Sequence, residues 1–424
     1  MKYTILSVLL LLKMPSAVLG QKLLSLQEAE DLFLKQNIEI QEGQAELYVA
    51  ESTIRQAKLL NNPELSIDQV NLWSSKSQRE DVTIPPILGS SIGKNTQFSV
   101  ELGQEIRLGG KRKKGIQIAR LNHRLSSLKQ AYTSEEALLH FRSLIFEYNF
   151  YKSYQATLEE ELNILKQISK TYKKQRELGF IATSEWMRIQ AAEYEAEQEF
   201  LEVRQEWNEL KELIHSLLGI SVAENIEVFY SPEKMELPST LFREQMHHPL
   251  LQIGREEMQL KRKSLALEKA QRIPDIRLSG NYDRYGGVWS NFIGFGISFT
   301  LPIWNRNQGN IKAAQMLLHL EQNKLNTQKI AIQNKIQTEL HTYHELTAFK
   351  DKLIQDLSNE DLKKLQQSYV KNLLQKNISL IEFLDFTETY KQRQKMLLET
   401  DKKIYTQYFT LLYTIGNKTI QYEN

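Results

Sequence analysis

The chain repeats itself once, in outline, at a distance of about 200 residues, and this restricts its possible folds more than any single residue does. A helical run ended by proline and followed by an alternating segment, Ala57-Lys58-Leu59-Leu60-Asn61-Asn62-Pro63-Glu64-Leu65, recurs as Ala270-Gln271-Arg272-Ile273-Pro274-Asp275-Ile276. The turn around Gly179 has its counterpart around Asn377, and Leu217-Leu218-Gly219 has its own in Thr414-Ile415-Gly416. Solenoid units repeat every 20 to 50 residues or so. A period several times longer describes two structural halves in tandem.

Helical spacing dominates both halves. Leu121, Leu125, Leu128, then Leu138, Phe141, Ile145, Tyr148, then Leu158, Leu162, Leu165, Ile168 and Tyr172 recur at intervals of three and four, the seam of a packed helix. This proline-free run, from Lys111 to Leu178, is matched by one of equal length from Gly309 to Lys376, since 178 − 111 equals 376 − 309. Each ends in a short turn from which a second helix returns, Ser184 to Leu218 and Leu380 to Ile415. Gly179 supplies the left-handed residue that closes the first run, and Asn377 is expected to do so in the second. Ser379 and Glu382 have the S-x-x-E spacing of a capping box at the start of the second returning helix.

Four short segments leave the helical regime. In Phe292–Leu301, Ile293, Phe295, Ile297, Phe299 and Leu301 alternate with Gly294, Gly296, Ser298 and Thr300. Asp275–Tyr285 alternates likewise, and Thr96–Arg107 sets Phe98, Val100 and Leu102 against Ser99, Glu101 and Gly103. In Glu64–Trp73 the parity changes between Ile67 and Val70, which predicts a bulge or an early strand end. A wholly apolar face backed by a small or polar one fits a strand between lipid and water, and fits a soluble sheet on a helical layer equally well. Trp73, Tyr285, Trp289 and Trp304 near the strand ends are placed as interfacial aromatics would be.

The N-terminus separates these alternatives. Lys2, the apolar run Ile5–Leu12, Pro15 and Val18-Leu19-Gly20 match a secretory signal peptide cleaved after Gly20, although Lys13 interrupts its apolar core and leaves a cytosolic leader as the alternative. Beyond it there is no apolar run of about 18 residues, so no helical span is expected. Two hairpins cannot close a membrane barrel, whose smallest single-chain form has about eight strands, and open edges are forbidden in lipid. Several copies must therefore share one barrel.

Composition excludes other classes. The chain has no cysteine, hence no disulfide and no acylated anchor, and Lys plus Arg (54) nearly balances Asp plus Glu (52), which argues against nucleic acid as a partner. Nucleophile elbow, Walker loop and dinucleotide fingerprint are all missing, so no enzyme, cofactor or catalytic residue is expected. His341 and His344, one turn apart, and His247-His248 before Pro249 are weak metal candidates, read as structural or solvated. Lys111-Arg112-Lys113-Lys114 at a strand-to-helix junction is read as meeting lipid phosphates or solvent.

The signal peptide, the duplication, and the junctions Asn62-Pro63-Glu64-Leu65, Gly109-Gly110-Lys111-Arg112 and Leu301-Pro302-Ile303-Trp304-Asn305-Arg306-Asn307-Gln308-Gly309 together resemble the TolC-like outer-membrane efflux proteins. The last junction is most similar to the branch serving heavy-metal cation exporters of the CzcC and CusC kind. The resemblance covers essentially the whole mature chain. It implies an α+β, mostly α membrane protein: a homotrimer in which each chain gives four strands to a shared 12-stranded outer-membrane β-barrel, continued by a long periplasmic α-helical barrel. The implied function is an exit duct in the outer membrane of a diderm bacterium, coupled by a periplasmic adaptor (a membrane fusion protein) to an inner-membrane pump of RND type.

On that frame the chain divides into a signal peptide (1–20), a first repeat (21–219: a helix, a strand pair within 64–107, a helical hairpin over 111–218), a linking equatorial segment (220–238) and a second repeat (239–424: a helix, a strand pair within 275–301, a hairpin over 309–416). The tips, Gly179, Thr183, Ser184, Asn377 and Ser379, are expected to contact the adaptor. Glu382 and Asp385 are similar in position to acids that ring the periplasmic constriction in the family; their local alternative is to cap the helix and offset its dipole. Two departures stand out. The family's Tyr-x-x-Gly before the second tip is here Tyr369-Val370-Lys371-Asn372, and many metal-branch relatives are lipoproteins. Two other functions remain compatible: the channel of a type I protein-secretion system, and a periplasmic helical scaffold or adaptor whose strands form a soluble sheet.

Overall fold

A computed structural model describes residues 22–68, 99–221, 226–229, 237, 248–286, 289–356 and 359–416. The signal peptide at 1–20, the parity change at Val70, Trp73, the strand start at Thr96, His247 and most of 220–238 lie outside the described residues. The chain divides into two compact units. One comprises Met1–Gln41, Thr133–Glu244 and Lys335–Asn424; the other comprises Glu42–Tyr132 and Gln245–Asn334.

The second unit holds a four-stranded sheet made of β2 (Glu64–Asp68), β3 (Ser99–Ile106), β5 (Ile276–Gly286) and β6 (Trp289–Phe299), paired antiparallel in that order. Strands of the two halves thus meet at β3 and β5, and β2 and β6 are the edges. The register places Ile67 opposite Val100, Val100 opposite Tyr282, and Tyr282 opposite Ile293; next to this row run Leu65, Leu102, Gly280 and Phe295, then Leu278 with Ile297 and Ile276 with Phe299. Because directly paired residues share a face, the apolar residues of all four strands coincide on one side. Most of them are exposed there, Phe295 to 92%, while Val100, Ile276 and Tyr282 are half-buried.

On the opposite face Arg277 reaches both Glu64 and Glu101, three strands joined by one guanidinium. Gln104 is a polar residue on the apolar side. Its amide turns back to the carbonyls of Asn61 and Glu105.

Strand and helix are joined through Gly109 and Gly110, both left-handed at φ 64 and 68. A Cβ on Gly109 would stand 2.9 Å from the Ile273 side chain. The basic run that follows differs from the expectation: it is mostly engaged by protein rather than lipid or solvent. Lys111, buried, pairs with Asp275 at 2.8 Å, Lys114 donates to the Gly109 carbonyl at 2.6 Å, and Arg112 donates to the Lys58 carbonyl. Asp275 also accepts from the Leu108 N–H at 2.9 Å, so one carboxylate ties the start of β5 to the end of β3. His248, beside the same unit's helix α5 (Pro249–Ala270), accepts the Leu250 N–H at 3.1 Å as its N-cap.

Among the described residues the first unit is helical apart from one parallel pair that the sequence pattern did not disclose. β1 (Lys22–Ser25) runs beside β4 (Ile226–Phe229) with Lys22 opposite Ile226, so part of the linking segment is a strand. Leu24 and Val228 project from it into a core with Phe33, Phe141, Ile145, Ile214 and Leu218. Helix α1 (Leu26–Gln36) starts with a full capping box, Ser25 to the Glu28 N–H and Glu28 back to Ser25. Arg142, buried, holds Glu30 of α1 through two bonds of 2.6 and 2.8 Å and lies over the Phe409 ring.

Helix α2 (Ile38–Ala57) follows α1. The long run expected from Lys111 is a single helix, α3 (Lys111–Glu177), of 67 residues, about 100 Å at 1.5 Å per residue. It returns as α4 (Thr183–Leu217). In the second half the run is described as α6 (Gln308–Asp356) and α7 (Asn359–Leu374), returning as α8 (Leu380–Ile415). None of the described helices is long and apolar enough to cross a membrane.

Candidate gate and hairpin tips

Both hairpins end in the same backbone device. At the first tip the Phe180 N–H donates to the Gln175 carbonyl at 2.8 Å and the Gly179 N–H to Arg176 at 3.0 Å. At the second, Asn377 donates to Asn372 at 2.9 Å and Lys376 to Leu373 at 3.0 Å. These are paired six-to-one and five-to-two bonds, which need a left-handed residue between them. Gly179 fills it at φ 78. In the second tip it is Lys376, at φ 61, and not Asn377 as expected. Asn377 instead takes the following position and turns its amide to Asn372 and Gln375.

One core lies under both tips. Leu162, Leu165, Ile168 and Tyr172 of α3, Ile189 of α4, Leu373 of α7, and Leu380 and Phe383 of α8 are buried together, with Ile181, Trp186 and Ile378 against them. Arg176 stacks over Trp186, and Tyr369 stacks on Phe386 with centroids 3.9 Å apart. The five tip residues Gly179, Thr183, Ser184, Asn377 and Ser379 are all exposed, as are the neighbouring Leu178 and Phe180.

Glu382 and Asp385 stand one turn apart on the exposed face of α8, while Phe383 and Thr387 occupy its buried face. Ser379 caps the helix by accepting from the Glu382 N–H at 3.2 Å. The reciprocal bond is not formed, unlike at Ser25 and Glu28, so the expected capping box is only half present. The Glu382 carboxylate is left facing outward.

Further along the hairpins lies a polar cluster that sequence reasoning missed. Tyr154 of α3 donates to Glu199 of α4 at 2.5 Å, and Lys391 of α8 lies 2.9 Å from Glu199 and 2.8 Å from Glu388. Burial favours the neutral forms of all these groups. For Lys391, bonds to Glu388 and Glu199 overcome it and raise the pKa; for Glu199, bonds from Tyr154 and Lys391 overcome it and lower the pKa. Glu161, 7% exposed, has one oxygen with no partner, and burial pushes it up to about 7 with Lys391 opposing and Glu199 and Glu388 adding. A signal existed: Glu161 interrupts the seam of Leu158, Leu162 and Leu165, and Glu199 lies between Ala196 and Val203 on the buried side of α4.

Metal chemistry finds little support. His341 pairs with Glu345 at 3.3 Å, both exposed, and no group of three metal-binding side chains occurs among the described residues.

Residues 31–219 match the family described as "Outer membrane efflux protein". CusC has this fold, with a TM-score of 0.75 at 15% identity over 93% of this chain and 92% of that one. Over residues 31–219 the chain is similar to this family, and over nearly its whole length it has the fold of CusC. The fold is shared with VceC from Vibrio cholerae (TM-score 0.72, 13% identity, 92% of this chain and 96% of that) and CmeC from Campylobacter jejuni (0.73, 14%, 92% and 85%). In sequence it is 22% identical over 295 residues to the cobalt-zinc-cadmium resistance protein CzcC of Cupriavidus metallidurans, a match spanning 69% of this chain and 66% of that protein's length. Family and structural neighbours are outer-membrane channels, not enzymes.

Proposed function

We propose that this protein is an outer-membrane efflux channel, the exit duct of a tripartite exporter, and a homotrimer whose strands form one 12-stranded barrel continued into a periplasmic helical barrel. The observation that carries this is the sheet. Four strands present an exposed face that is apolar but for Gln104 and, among the described residues, end in two unpaired edges, β2 and β6, neither of which can face lipid alone. Pairing β6 of one copy with β2 of the next removes both at once. A polar, ion-paired face on the other side of the sheet suits a water-filled lumen.

In the same reading the exposed tips contact a periplasmic adaptor bound to an RND-type pump, and Glu382 and Asp385 from three chains narrow the periplasmic end. Divalent metal cations are the proposed cargo, supported by the likeness to CzcC. The cargo passes through and is not held, in keeping with the isolated imidazoles.

Crosslinking in native outer membranes tests the assembly: a trimer is expected, and monomer or dimer alone would sink the shared barrel. For the cargo, deletion should lower tolerance to cobalt, zinc and cadmium ions. Unchanged metal tolerance with lost secretion of a protein would place the chain in a type I secretion system instead.

A further inference from the structure

At the foot of the sheet, two open clefts lie on either side of Arg272 and Trp304. One, of about 820 Å³, is lined by Glu105 and Asp275 as well as by Lys111, Arg272 and Arg277, so both signs of charge are present. The other, of about 760 Å³, is lined by Arg272, Ile303, Trp304, Arg306, Gln308, Ile311, Lys312 and Gln315, with three cations and no carboxylate. Among the described residues Arg272, Arg306 and Lys312 form no ion pair. In the first cleft, by contrast, Lys111 pairs with Asp275 and Arg277 with Glu64 and Glu101.

We propose that this second cleft binds the phosphate of a membrane glycerophospholipid. Two features select a lipid over a free anion. The apolar row Ile293, Phe295, Ile297, Phe299 and Leu301 is exposed and leads directly to Ile303 and Trp304, which is 87% exposed, so an acyl chain has a continuous track ending at the cations. The loop that carries them is also held in place. Asn307, left-handed at φ 58, donates to the carbonyl and carboxylate of Glu268 at 2.9 and 2.6 Å, Arg306 Nε donates to the Ile303 carbonyl at 3.2 Å, and Gln308 donates to the Trp304 carbonyl at 3.2 Å. Arg306 is thereby oriented with its two Nη groups free of protein partners among the described residues. A planar guanidinium suits a phosphate oxygen pair, and an indole beside it suits the headgroup level. The junction is where strands give way to helices, so the leaflet concerned is the periplasmic one; this rests on the outer-membrane placement of the sheet.

The test uses the full mature protein, purified in detergent, with native mass spectrometry counting retained lipid. Phosphatidylglycerol should be retained over diacylglycerol carrying the same acyl chains. In the variant Arg272→Gln, Arg306→Gln, Lys312→Gln retention should fall by about 100-fold, since each cation near a lipid surface contributes roughly a factor of five. Lys329→Gln, an exposed cation on the same helix, should change nothing. Equal retention of diacylglycerol, or an unaffected triple variant, would overturn the proposal. So would displacement of the lipid by millimolar inorganic phosphate, which would make the site one for the free ion. If the triple variant does not assemble, Lys312→Gln alone should still lower retention about fivefold, and failure to do so counts against the site. Fractionation distinguishes this from the wider reading: wild-type protein missing from the outer membrane would overturn the placement, whereas membrane-inserted protein without lipid adducts overturns only the cleft.

Discussion

Lys376 occupies in the second hairpin tip the left-handed position that Gly179 occupies in the first. The correspondence is tighter than a comparison of turn residues shows, because 376 − 179 and 416 − 219 both give 197, linking Gly179 with Lys376 and Gly219 with Gly416 by one offset. All four have positive φ.

A lysine there carries a conformational cost of roughly 1–2 kcal/mol, of which a glycine's extra freedom in the unfolded chain returns part. Lys376→Gly should therefore stabilise the protein by about 0.5–1 kcal/mol. Gly179→Ala should destabilise it by about 1 kcal/mol through backbone conformation alone, since a Cβ at Gly179 meets nothing within 4 Å. Denaturant midpoints of the solubilised protein measure both; a less stable Lys376→Gly would show that the lysine side chain, not its φ, governs the tip.

At the proposed gate, cap and carboxylate separate cleanly. Ser379→Ala should cost about 1 kcal/mol, the usual loss for an N-cap, whereas Glu382→Ala should cost little because its carboxylate returns no bond to the cap. If Glu382 and Asp385 line a threefold constriction, multivalent cations will block single-channel current from the periplasmic side, and the double Ala variant will relieve that block. Undiminished block would place the constriction elsewhere.

Glu161 makes stability depend on pH in a definite direction. Its folded pKa, about 7, lies above the unfolded value, so the folded state holds the proton longer. The contribution is fully present below pH 4.5 or so, and is lost as pH rises through 7. Glu161→Gln should flatten this decline and leave the protein more stable than wild type at pH 8, by on the order of 2 kcal/mol. A variant whose melting curve keeps the wild-type pH dependence would rule Glu161 out as its source.

The Lys391 cluster predicts the opposite sign for a neighbouring change. Removing the ammonium in Lys391→Met leaves Glu199 and Glu388 without their common partner, at a cost of about 3 kcal/mol near neutral pH. Restoring stability by the further change Glu199→Gln would confirm the pairing; a Lys391→Met protein as stable as wild type would refute it.

The sheet gives a test of faces. Ile297→Arg or Phe295→Arg puts a cation on the apolar side and should prevent most of the protein from assembling in the membrane, with a penalty of about 2–4 kcal/mol at mid-depth. Ser298→Asp lies directly opposite Arg277 on the other face and should assemble normally while changing conductance. Equal tolerance of both would argue for a sheet bathed in water.

The sequence by itself determined the elements whose pattern is local and long. The alternation from Ile293 to Leu301, the helical seam from Leu138 to Tyr172 and the returning helix Leu380–Ile415 could be read directly, because many consecutive residues vote for one period and the residues at the ends favour a stop. What only the tertiary structure decided involves few residues or distant ones. The four-residue strands β1 and β4 are too short to show a period, and exist because Leu24 and Val228 find a shared core some 200 residues apart in the chain. Lys111 looked like a surface cation until Asp275 was brought to 2.8 Å from it. The choice of Lys376 over Asn377 follows from where the last turn of α7 closes, a matter of one residue that packing of Leu373 and Leu380 into a common core settles and intrinsic preference alone does not. Local periodicity is a property of neighbours along the chain; register, pairing and charge matching depend on which surfaces the fold presses together.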